Sequence, residues 1–586
     1  GSDEQKIGDY YATCMDTAAI EKAGLAPIQP ELDRIAALQS AADFTPEIAH
    51  LARIDIDTFF SLGAIQDFKD ATREIALLDQ GGIGMPEKDY YLRAGAKDEE
   101  LRQQYVQHLT NMLKLLGESP EIASKHAADI MAFETALAKV SMGNVERRDP
   151  EAIYHMQPLE KLAGDTPNLH VVEFLKQAGA PPVTELNVAN PQFFTGLNQL
   201  IASTPVDTLK SYMRVHLVDG VAGRLPKAFD DEHFDFYSRK LQGTPEQQAR
   251  WKRCVNTTDE NLGEVLGRVY VAQYFPADSK ARTSDEVKQI EAAMARDLDQ
   301  LTWMSPETRA KAHEKLAAIV DKIGYPNKWR DYSALEIKPG QPMENALRAR
   351  EFNSDYELHK IGRPVDKAEW DMTPPTVNAD YNPSMNTINF PAGILQPAFY
   401  DKQASDAINY GHIGAVVGHE LTHGFDDEGR KFDAQGNLKE WWTAEDAKRF
   451  EQRTDCLVNE YNGFVVVDDL HVNGKLTLGE NTADNGGLRL AWMALLADAA
   501  RNHTSLDTKV ATGYTPKQEF FLGFAQNWCS SERPEMLRLA VQTDPHAPDT
   551  LRVKGAILNM PEFGQAFGCK PGQPMAPAPE KMCRVW

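Results

Sequence analysis

The sequence predicts a mainly α protein of the α+β class with two lobes, and three observations support this prediction. The chain has 586 residues, which is too long for one compact core and indicates at least two domains. Between Tyr10 and Gly324 most apolar residues recur at helical spacing. The stretch "VNADYNPSMNTINFPAGIL" then interrupts the helical pattern and predicts an extended strand with a turn.

Individual segments justify this assignment. "DEELRQQYVQHLTNMLKLLG" places Leu101, Tyr105 and Leu109 at spacings of four, which predicts an amphipathic helix. Later helical patterns are predicted around residues 407–424, 443–461 and 480–499. The segment "IGYPNKWRDYSALEIKPGQPM" is rich in proline, glycine and aromatic residues and predicts a boundary between lobes. The predicted domains are therefore residues 1–326 and 327–586.

Charge and hydropathy exclude some classes of partner. The formal net charge is −24, so the chain repels phosphate backbones and anionic lipid surfaces, and nucleic acid is not an expected partner. No apolar run approaches the roughly 20 residues that span a bilayer, so no transmembrane segment is predicted. The N-terminal residues "GSDEQKIGDYYATC" do not resemble a signal peptide. We therefore expect a mature or trimmed form of the chain.

The stretch "GHELTHG" contains two histidines four residues apart with a glutamate beside the first. A helix is predicted from about Ser405 to Gly424, where a glycine can take the left-handed conformation that ends a helix. Residues four apart share a helix face, so His419 and His423 would direct their rings to one point beside Glu420. This pattern is typical of zinc peptidases. The pattern also arises by chance in about 3% of chains of this length, so it identifies a zinc site only together with a third ligand.

The position of the third ligand separates the classes of zinc peptidase. Asp426 and Gly429 break the pattern HExxHxxGxxH, and Trp442 occupies the position nineteen residues after the second histidine. Farther along, "LTLGENTADNGGL" offers Glu480 and Asp484, which share a helix face. Taken alone, Glu480 and Asp484 also fit a solvent-exposed acidic face near the N-terminus of a helix. Beside the histidine pair, Glu480 can complete a tetrahedral site while Asp484 accepts the outer N–H of a ligand histidine.

With these residues, the chain resembles the neprilysin family of zinc metallopeptidases, which includes endothelin-converting enzymes and bacterial oligopeptidases. The resemblance covers nearly the whole chain and rests on "VVGHELTHGFDDEGR", "GENTADNGGL", "VNADY" before "NFPAGILQPAFY", "TDPHAPDTLRV" and a C-terminal Cys-x-x-Trp. It implies a thermolysin-like catalytic lobe and an all-helical cap lobe that enclose an internal chamber. It also implies a zinc-dependent endopeptidase that cleaves short peptides on the amino side of bulky hydrophobic residues.

The resemblance also implies roles for individual residues. One Zn²⁺ per chain would be bound by His419, His423 and Glu480, with Glu420 as general base and acid and Asp484 orienting a zinc histidine. His546, held by Asp544, would stabilise the oxyanion. The implied substrate-binding residues are Asn378 and Ala379 for the peptide backbone, Arg552 for a substrate carbonyl, and Ile394, Phe399, Val416 and Trp528 for an apolar pocket. Asp380 and Asn527 depart from the family pattern, which leaves the side-chain preference open.

Six cysteines contain no CxxC pair, so a cysteine-based metal site is not expected. From the residues alone they are either buried thiols or long-range disulfides. The resemblance implies the pairs Cys14–Cys254 and Cys456–Cys583. It also implies that Cys529 and Cys569 bond an N-terminal segment that this sequence lacks, or are otherwise free.

The expected location is extracytoplasmic, because the implied disulfides need an oxidising compartment. Glycosylation sequons are sparse, which favours a bacterial periplasmic or secreted enzyme over an animal cell-surface ectodomain. Two other functions remain open from the sequence. One is a broad endoprotease with an open cleft, and the other is a peptide-capturing or surface-binding protein that kept the fold.

Overall fold

The computed structural model describes residues 2–56 and 58–586. Of residues 277 and 278, which belong to a helix, it describes the backbone only. The prediction of a mainly α protein is confirmed, since helices dominate the chain and strands are short. By contacts the chain divides into two compact units. The first unit comprises residues 1–67, 72–266 and 330–365, and the second comprises residues 68–71, 267–329 and 366–586.

The helices of the first unit are α1 Asp3–Met15, α2 Thr17–Ala23, α3 Gln29–Ala37, α4 Phe44–Arg53, α5 Asp89–Leu92, α6 Ala96–Leu115, α7 Pro120–Val140, α8 Asn144–Arg147, α9 Leu159–Asp165, α10 Val171–Gln177, α11 Pro191–Ser203, α12 Val206–Val221, α13 Lys227–Phe234 and α17 Pro342–Leu358. Helix α14 Arg250–Tyr274 begins in the first unit and ends in the second. Helix α6 matches the predicted amphipathic helix, and Tyr105, Leu109 and Met112 are buried along it. Helix α6 packs against α7, where the Tyr105 hydroxyl donates to Glu134, and the buried stripe follows the predicted spacing.

The first unit also contains a four-stranded sheet, so the prediction of an all-helical lobe needs correction. The strands are β1 Phe60–Gln66, β2 Glu74–Gln80, β3 Met156–Pro158 and β4 Glu185–Val188, in the order β1-β2-β4-β3. Strands β1 and β2 form an antiparallel hairpin, and β4 runs parallel to β2. Strand β1 is only partly buried over its middle five residues. It therefore lacks the apolar and polar alternation that identifies a strand in a sequence.

The second unit holds the residues of the predicted metal site. Its helices are α15 Ala277–Gln300, α16 Pro306–Ala317, α18 Asp406–Asn409, α19 Ala415–His423, α20 Ala444–Asn462, α21 Leu478–Arg501, α22 Pro516–Asn527, α23 Pro534–Thr543, α24 Asp549–Leu558 and α25 Pro561–Phe567. Its strands are β5 Val320–Gly324, β6 Asp380–Asn382, β7 Thr387–Pro391, β8 Val465–Val467 and β9 Leu470–His471. Strands β6 and β7 form the predicted strand and turn. In the sheet order β5-β7-β6, β7 is central and fully buried, and β6 is an edge strand.

The units are discontinuous in sequence, which differs from the single predicted division between residues 326 and 327. One crossing, between residues 329 and 330, falls inside the predicted boundary segment. Helices α15 and α16 precede this crossing, yet they pack in the second unit because Val287, Ile290 and Met294 belong to its hydrophobic core. Helix α17 follows the crossing but belongs to the first unit, where Ala349 packs with Tyr10.

Two disulfides link distant parts of the chain, and both match the pairs implied by the family resemblance. Cys14 pairs with Cys254 inside the first unit, and Cys456 pairs with Cys583 inside the second. Cys529 and Cys569 are free thiols. Among the described residues, no helix is both long and apolar enough to cross a bilayer.

Candidate zinc centre

The two histidines lie on a helical segment that runs from Ser405 to Gly424, as predicted. The Oγ of Ser405 accepts a hydrogen bond from the Ile408 N–H and caps the segment. Its middle, Tyr410–Gly414, is π-helical. Gly424 ends the segment with φ −59°, so the expected left-handed conformation at this glycine was wrong. Gly424 keeps right-handed backbone geometry instead, because the Phe425 N–H donates to the Thr422 carbonyl and adds a further turn.

The acidic ligand candidates lie on helix α21, which packs closely against α19. The Cα of Gly487 sits under the backbone of His419: a Cβ at this glycine would lie 2.5 Å from the His419 nitrogen and 2.6 Å from the Ala415 carbonyl oxygen. Contacts shorter than 3.0 Å are not tolerated by real side chains. The glycine therefore allows the two backbones to approach. That approach brings Asp484 and Glu480, one and two turns before Gly487 respectively, beside the histidines.

Three possible ligand atoms converge on one point. The Nε2 atoms of His419 and His423 lie 3.0 Å apart, and Oε2 of Glu480 lies 3.2 Å from the first and 3.4 Å from the second. Ligands bound at 2.0–2.1 Å around a tetrahedral ion lie about 3.3 Å apart, so these spacings match the edges of such a site. Among the described residues, the side chains of His419, His423 and Glu480 form a group that is arranged to hold a metal ion.

The hydrogen bonds around the imidazoles suit zinc as well. Nδ1 of His419 lies 2.9 Å from Oδ1 of Asp484, and Nδ1 of His423 lies 2.7 Å from Oδ2 of Asp426. Each carboxylate accepts the Nδ1–H, which leaves the Nε2 lone pair of a neutral ring for a metal. The imidazoles hold the pKa of Glu480 well below its usual value despite burial of its carboxyl, so Glu480 is ionised. With zinc bound, both imidazoles would be neutral, and two ring nitrogens with one carboxylate oxygen are a zinc ligand set.

Asp426 is a functional residue that sequence reasoning missed. Its Oδ1 accepts the N–H groups of Glu428 and Gly429, which fixes the carboxylate for its bond to His423. Behind it, the fully buried Lys315 donates to the carbonyls of Gly429 and Phe432 at 2.7 Å each. A search for one acidic partner per imidazole would have found Asp426, three residues after His423.

Asp484 is held from the opposite side by an arginine. Arg552 donates from Nε and Nη2 to the two oxygens of Asp484 at 2.8 and 2.7 Å, and its guanidinium stacks 3.7 Å from the ring centroid of Trp528. Burial alone would raise the pKa of Asp484, but Arg552 and His419 lower it. Asp484 is therefore a charged acceptor in a fixed position.

Glu420 points into the same site without joining the three ligand candidates. It is buried, and burial raises the pKa of its carboxyl above the usual value although His419 and His423 oppose this. His546 lies near the same oxygen of Glu480 as the two ligand histidines, with Nε2 3.1 Å from Oε2. Asp544 fixes His546 by accepting from both its backbone N–H and Nδ1 at 2.8 Å. Burial lowers the pKa of His546, but the bonds to Asp544 and Glu480 raise it to about 9.

The residues expected to bind substrate are placed less closely together. Asn378 is exposed and Ala379 nearly buried, and both directly precede the edge strand β6. The four residues expected to form the apolar pocket all belong to or pack on the hydrophobic core of the second unit, with Ile394 buried and the other three partly exposed: Phe399, Val416 and Trp528. The structure thus brings the metal, proton-transfer and histidine candidates together, while the pocket stays a prediction.

Known proteins resemble this chain over its whole length. Residues 1–326 and residues 378–583 both match models of peptidase family M13. Mouse endothelin-converting enzyme 1 is 36% identical over 610 residues, a match that covers 100% of this chain and 78% of that enzyme. The crystal structure of the zinc metalloprotease Zmp1 of Mycobacterium tuberculosis with an inhibitor superposes with a TM-score of 0.95 at 36% identity, covering 100% of this chain and 89% of the other. PepO of Lactobacillus rhamnosis gives 0.90 at 27% identity, covering 100% and 91%.

Proposed function

We infer how this site works from the premise that the chain belongs to peptidase family M13, the family of the endothelin-converting enzymes, and is a zinc-dependent metalloendopeptidase. We propose that it hydrolyses short peptides on the amino side of bulky hydrophobic residues. The observation that carries this proposal is the convergence of the His419, His423 and Glu480 ligand atoms within 3.4 Å of one another, each imidazole backed by its own carboxylate.

The proposal assigns one zinc ion per chain to these three side chains. When bound, zinc acts as a Lewis acid that polarises a carbonyl oxygen and lowers the pKa of water toward neutrality. Asp484 and Asp426 keep the two imidazoles in the tautomer that exposes Nε2, and Arg552 keeps Asp484 in place.

Glu420 is proposed as the group that moves protons. Its raised pKa makes the carboxylate a stronger base than an exposed glutamate. It accepts a proton from the attacking water and returns it to the departing amine. Because Glu420 is buried beside the cluster, no long proton path is needed.

His546 is proposed to stabilise the oxyanion that forms from the attacked carbonyl. Asp544 accepts from Nδ1 of His546, while Nε2 faces Oε2 of Glu480 at 3.1 Å and would donate to the oxyanion once a substrate carbonyl is bound; the pKa of about 9 keeps the ring charged at neutral pH. A charged donor placed before the reaction stabilises developing negative charge strongly. Arg552 uses the Nε–H and one N–H of Nη2 on Asp484, which leaves the other N–H of Nη2 and both of Nη1 for the substrate carbonyl assigned to it.

The substrate is proposed to bind as an added strand beside β6. Asn378 and Ala379 would supply the main-chain hydrogen bonds, and an edge strand is the place where an extended peptide can pair. The apolar side chains Phe399, Val416 and Trp528, with Ile394, would receive the residue after the scissile bond. The two disulfides support an extracytoplasmic location, with the periplasm or secretion favoured.

A combined metal and activity assay tests the proposed function. The purified chain should contain zinc and cleave a quenched fluorescent peptide that has a central phenylalanine or leucine, with the cut on its amino side by mass spectrometry. A chelator should stop cleavage and zinc should restore it. Cleavage of short peptides should exceed that of a folded protein containing the same sequence. Efficient digestion of the folded protein would favour an open-cleft endoprotease, and peptide binding without cleavage would favour a binding protein.

A further inference from the structure

A second candidate site lies in the first unit, in a cavity of about 460 Å³. All of its lining residues belong to that unit, so the cavity is separate from the zinc centre. Its volume falls within the range of about 300 to 1,000 Å³ that is typical of small-molecule sites. Four arginines line it, together with glutamine and hydroxyl side chains. Such a lining is rich in hydrogen-bond donors.

Each arginine uses only part of its guanidinium group on the protein. Arg250 donates from Nε to the Cys14 carbonyl and from Nη2 to the Gly223 carbonyl. Arg350 donates from Nη2 to the Gly220 carbonyl, and Arg224 donates to the Tyr10 hydroxyl. Arg253 donates from Nη1 and Nη2 to the carboxylate of Asp230. Arg250 also lies near this carboxylate, with Nη1 3.8 Å from Oδ2 of Asp230. The bonds to the protein therefore use only some of the N–H groups of these arginines.

Several of the remaining guanidinium nitrogens are buried and have no acceptor among the described residues. They are Nη1 of Arg224, Nε of Arg253 and Nη1 of Arg350. A buried donor without a partner costs about 1–3 kcal/mol, and more when it is charged. These nitrogens lie behind the cavity surface and not on it, so they add positive charge beneath the lining.

The acidic residues near the cavity do not balance the arginines. Asp219 is already occupied by His108 and His233, and Asp230 by Arg253 and Gln247. Glu260 acts on Arg350 and Arg224, and Asp55 acts on Arg350, but neither carboxylate lines the cavity.

The guanidinium groups also disfavour one another's charge. Burial lowers the pKa of Arg250, and the neighbouring Arg253 and Arg224 lower it further, against Asp230. Burial likewise lowers the pKa of Arg224, and Arg350 adds to this against Tyr10. The lining carries four arginines against two aspartates, and a bound anion would reduce this excess of positive charge.

We propose that this cavity binds a small anionic molecule that presents a phosphate or carboxylate group to Arg224, Arg250 and Arg350. Arginine is suited to such groups because its planar fork donates two parallel hydrogen bonds to one oxyanion. A purely structural role explains less of the arrangement. The carbonyls of Gly220 and Gly223 at the end of α12 are satisfied by one nitrogen each, and four arginines exceed that need.

Isothermal titration at constant ionic strength tests the proposal, with inorganic phosphate and citrate as probes and chloride as the reference. Arg350→Gln and Arg224→Gln should each weaken binding about tenfold or more, since a charge-assisted hydrogen bond contributes about 1.5–3 kcal/mol. Gln248→Glu adds negative charge at an exposed lining residue that the fold does not need, and it should weaken binding without affecting folding. Lys125→Gln removes an exposed charge elsewhere in the unit and should leave binding unchanged.

Zinc-free and zinc-loaded protein should give the same affinities, because all lining residues lie in the first unit. Tighter binding of phosphate than citrate would identify a phosphorylated ligand, and the reverse order a carboxylate. The proposal is overturned if neither probe binds, or if Gln248→Glu and the two arginine variants bind as tightly as Lys125→Gln. Circular dichroism of each variant establishes that it is folded before titration.

Discussion

At the scale of single residues, the two paired imidazoles are oriented symmetrically. Asp484 accepts from Nδ1 of His419 and Asp426 from Nδ1 of His423. The sequence predicted the first of these carboxylates because Asp484 shares a helix face with Glu480. It did not reveal the second, because Asp426 lies in a turn where helix periodicity gives no information about side-chain direction.

Asp426→Ala should therefore weaken zinc binding by about 10- to 100-fold, the effect typical of losing a partner of a ligand histidine. His423 would lose the acceptor that fixes its tautomer. Competition with a fluorescent chelator measures the affinity. Asp455→Ala, at an exposed position on α20, is the matched control and should bind zinc normally. Equal affinities of the two variants would refute the role given to Asp426.

Asp380 bears on substrate choice. It lies on edge strand β6 opposite Asn389, and Asn389 lies opposite Lys322, so the three form a polar row across the sheet. Asn389 donates to Oδ2 of Asp380 at 2.7 Å, while the buried Oδ1 has no hydrogen-bond partner among the described residues. A peptide paired with β6 would therefore place one side chain beside an incompletely satisfied carboxylate.

Burial raises the pKa of Asp380 to about 7. Above that pH we expect lysine at that peptide position to be favoured over glutamate by about twofold to fivefold in kcat/KM, the range of cross-strand charge pairs. Asp380→Asn should remove most of this preference and keep turnover of neutral peptides. The measurement is a scan of lysine, glutamine and glutamate along one peptide. A preference that survives in Asp380→Asn would assign the selectivity to another group.

At the scale of elements, the contact between α19 and α21 builds the metal site. The sequence predicted both helices and the facing carboxylates. It did not predict how closely the helices pack, because a glycine pair in a helix does not reveal which backbone it contacts. In the structure Gly487 meets His419, and Gly486 meets Thr422. The sheet of the first unit was missed for a related reason, since its short strands lack a clear alternation.

Gly487→Ala should push α21 away from His419, because the new Cβ would lie 2.5 Å from a backbone nitrogen. We expect a loss of about 1–3 kcal/mol in the free energy of unfolding and weaker zinc binding. Urea unfolding and chelator competition measure the two effects. Gly164→Ala on α9 has no atom within 4 Å of the new Cβ and should be neutral or slightly stabilising. A normal zinc affinity in Gly487→Ala would show that the helix contact does not set the site.

At the scale of the whole molecule, each unit has its own core and disulfide, and the first unit contains a buried ionic cluster. His108 is completely buried, with Nε2 3.1 Å from Asp219 and Nδ1 3.2 Å from Glu232. Burial lowers the pKa of His108, but the two carboxylates raise it to about 9. No sequence pattern predicted this cluster, because its members come from three separate helices.

This cluster predicts how stability depends on pH. The folded pKa of His108 exceeds the ordinary value of about 6.5 for an unfolded chain, so its stabilisation is complete below that pH. It is lost as pH rises through 9. The free energy of unfolding of the first unit should fall by roughly 3 kcal/mol from this source between those values. In His108→Phe that fall should largely disappear, and an unchanged pH slope of urea unfolding would contradict the assignment.

Zinc content of two matched variants tests the central claim most directly. Glu420→Gln replaces a buried carboxylate and Glu480→Gln a partly buried one, each by an amide of the same size. Measured by atomic emission after dialysis, Glu420→Gln should retain about one zinc ion per chain and lose peptide cleavage. Glu480→Gln should lose both zinc and cleavage. Full zinc occupancy in Glu480→Gln, or appreciable cleavage by zinc-loaded Glu420→Gln, would contradict the account.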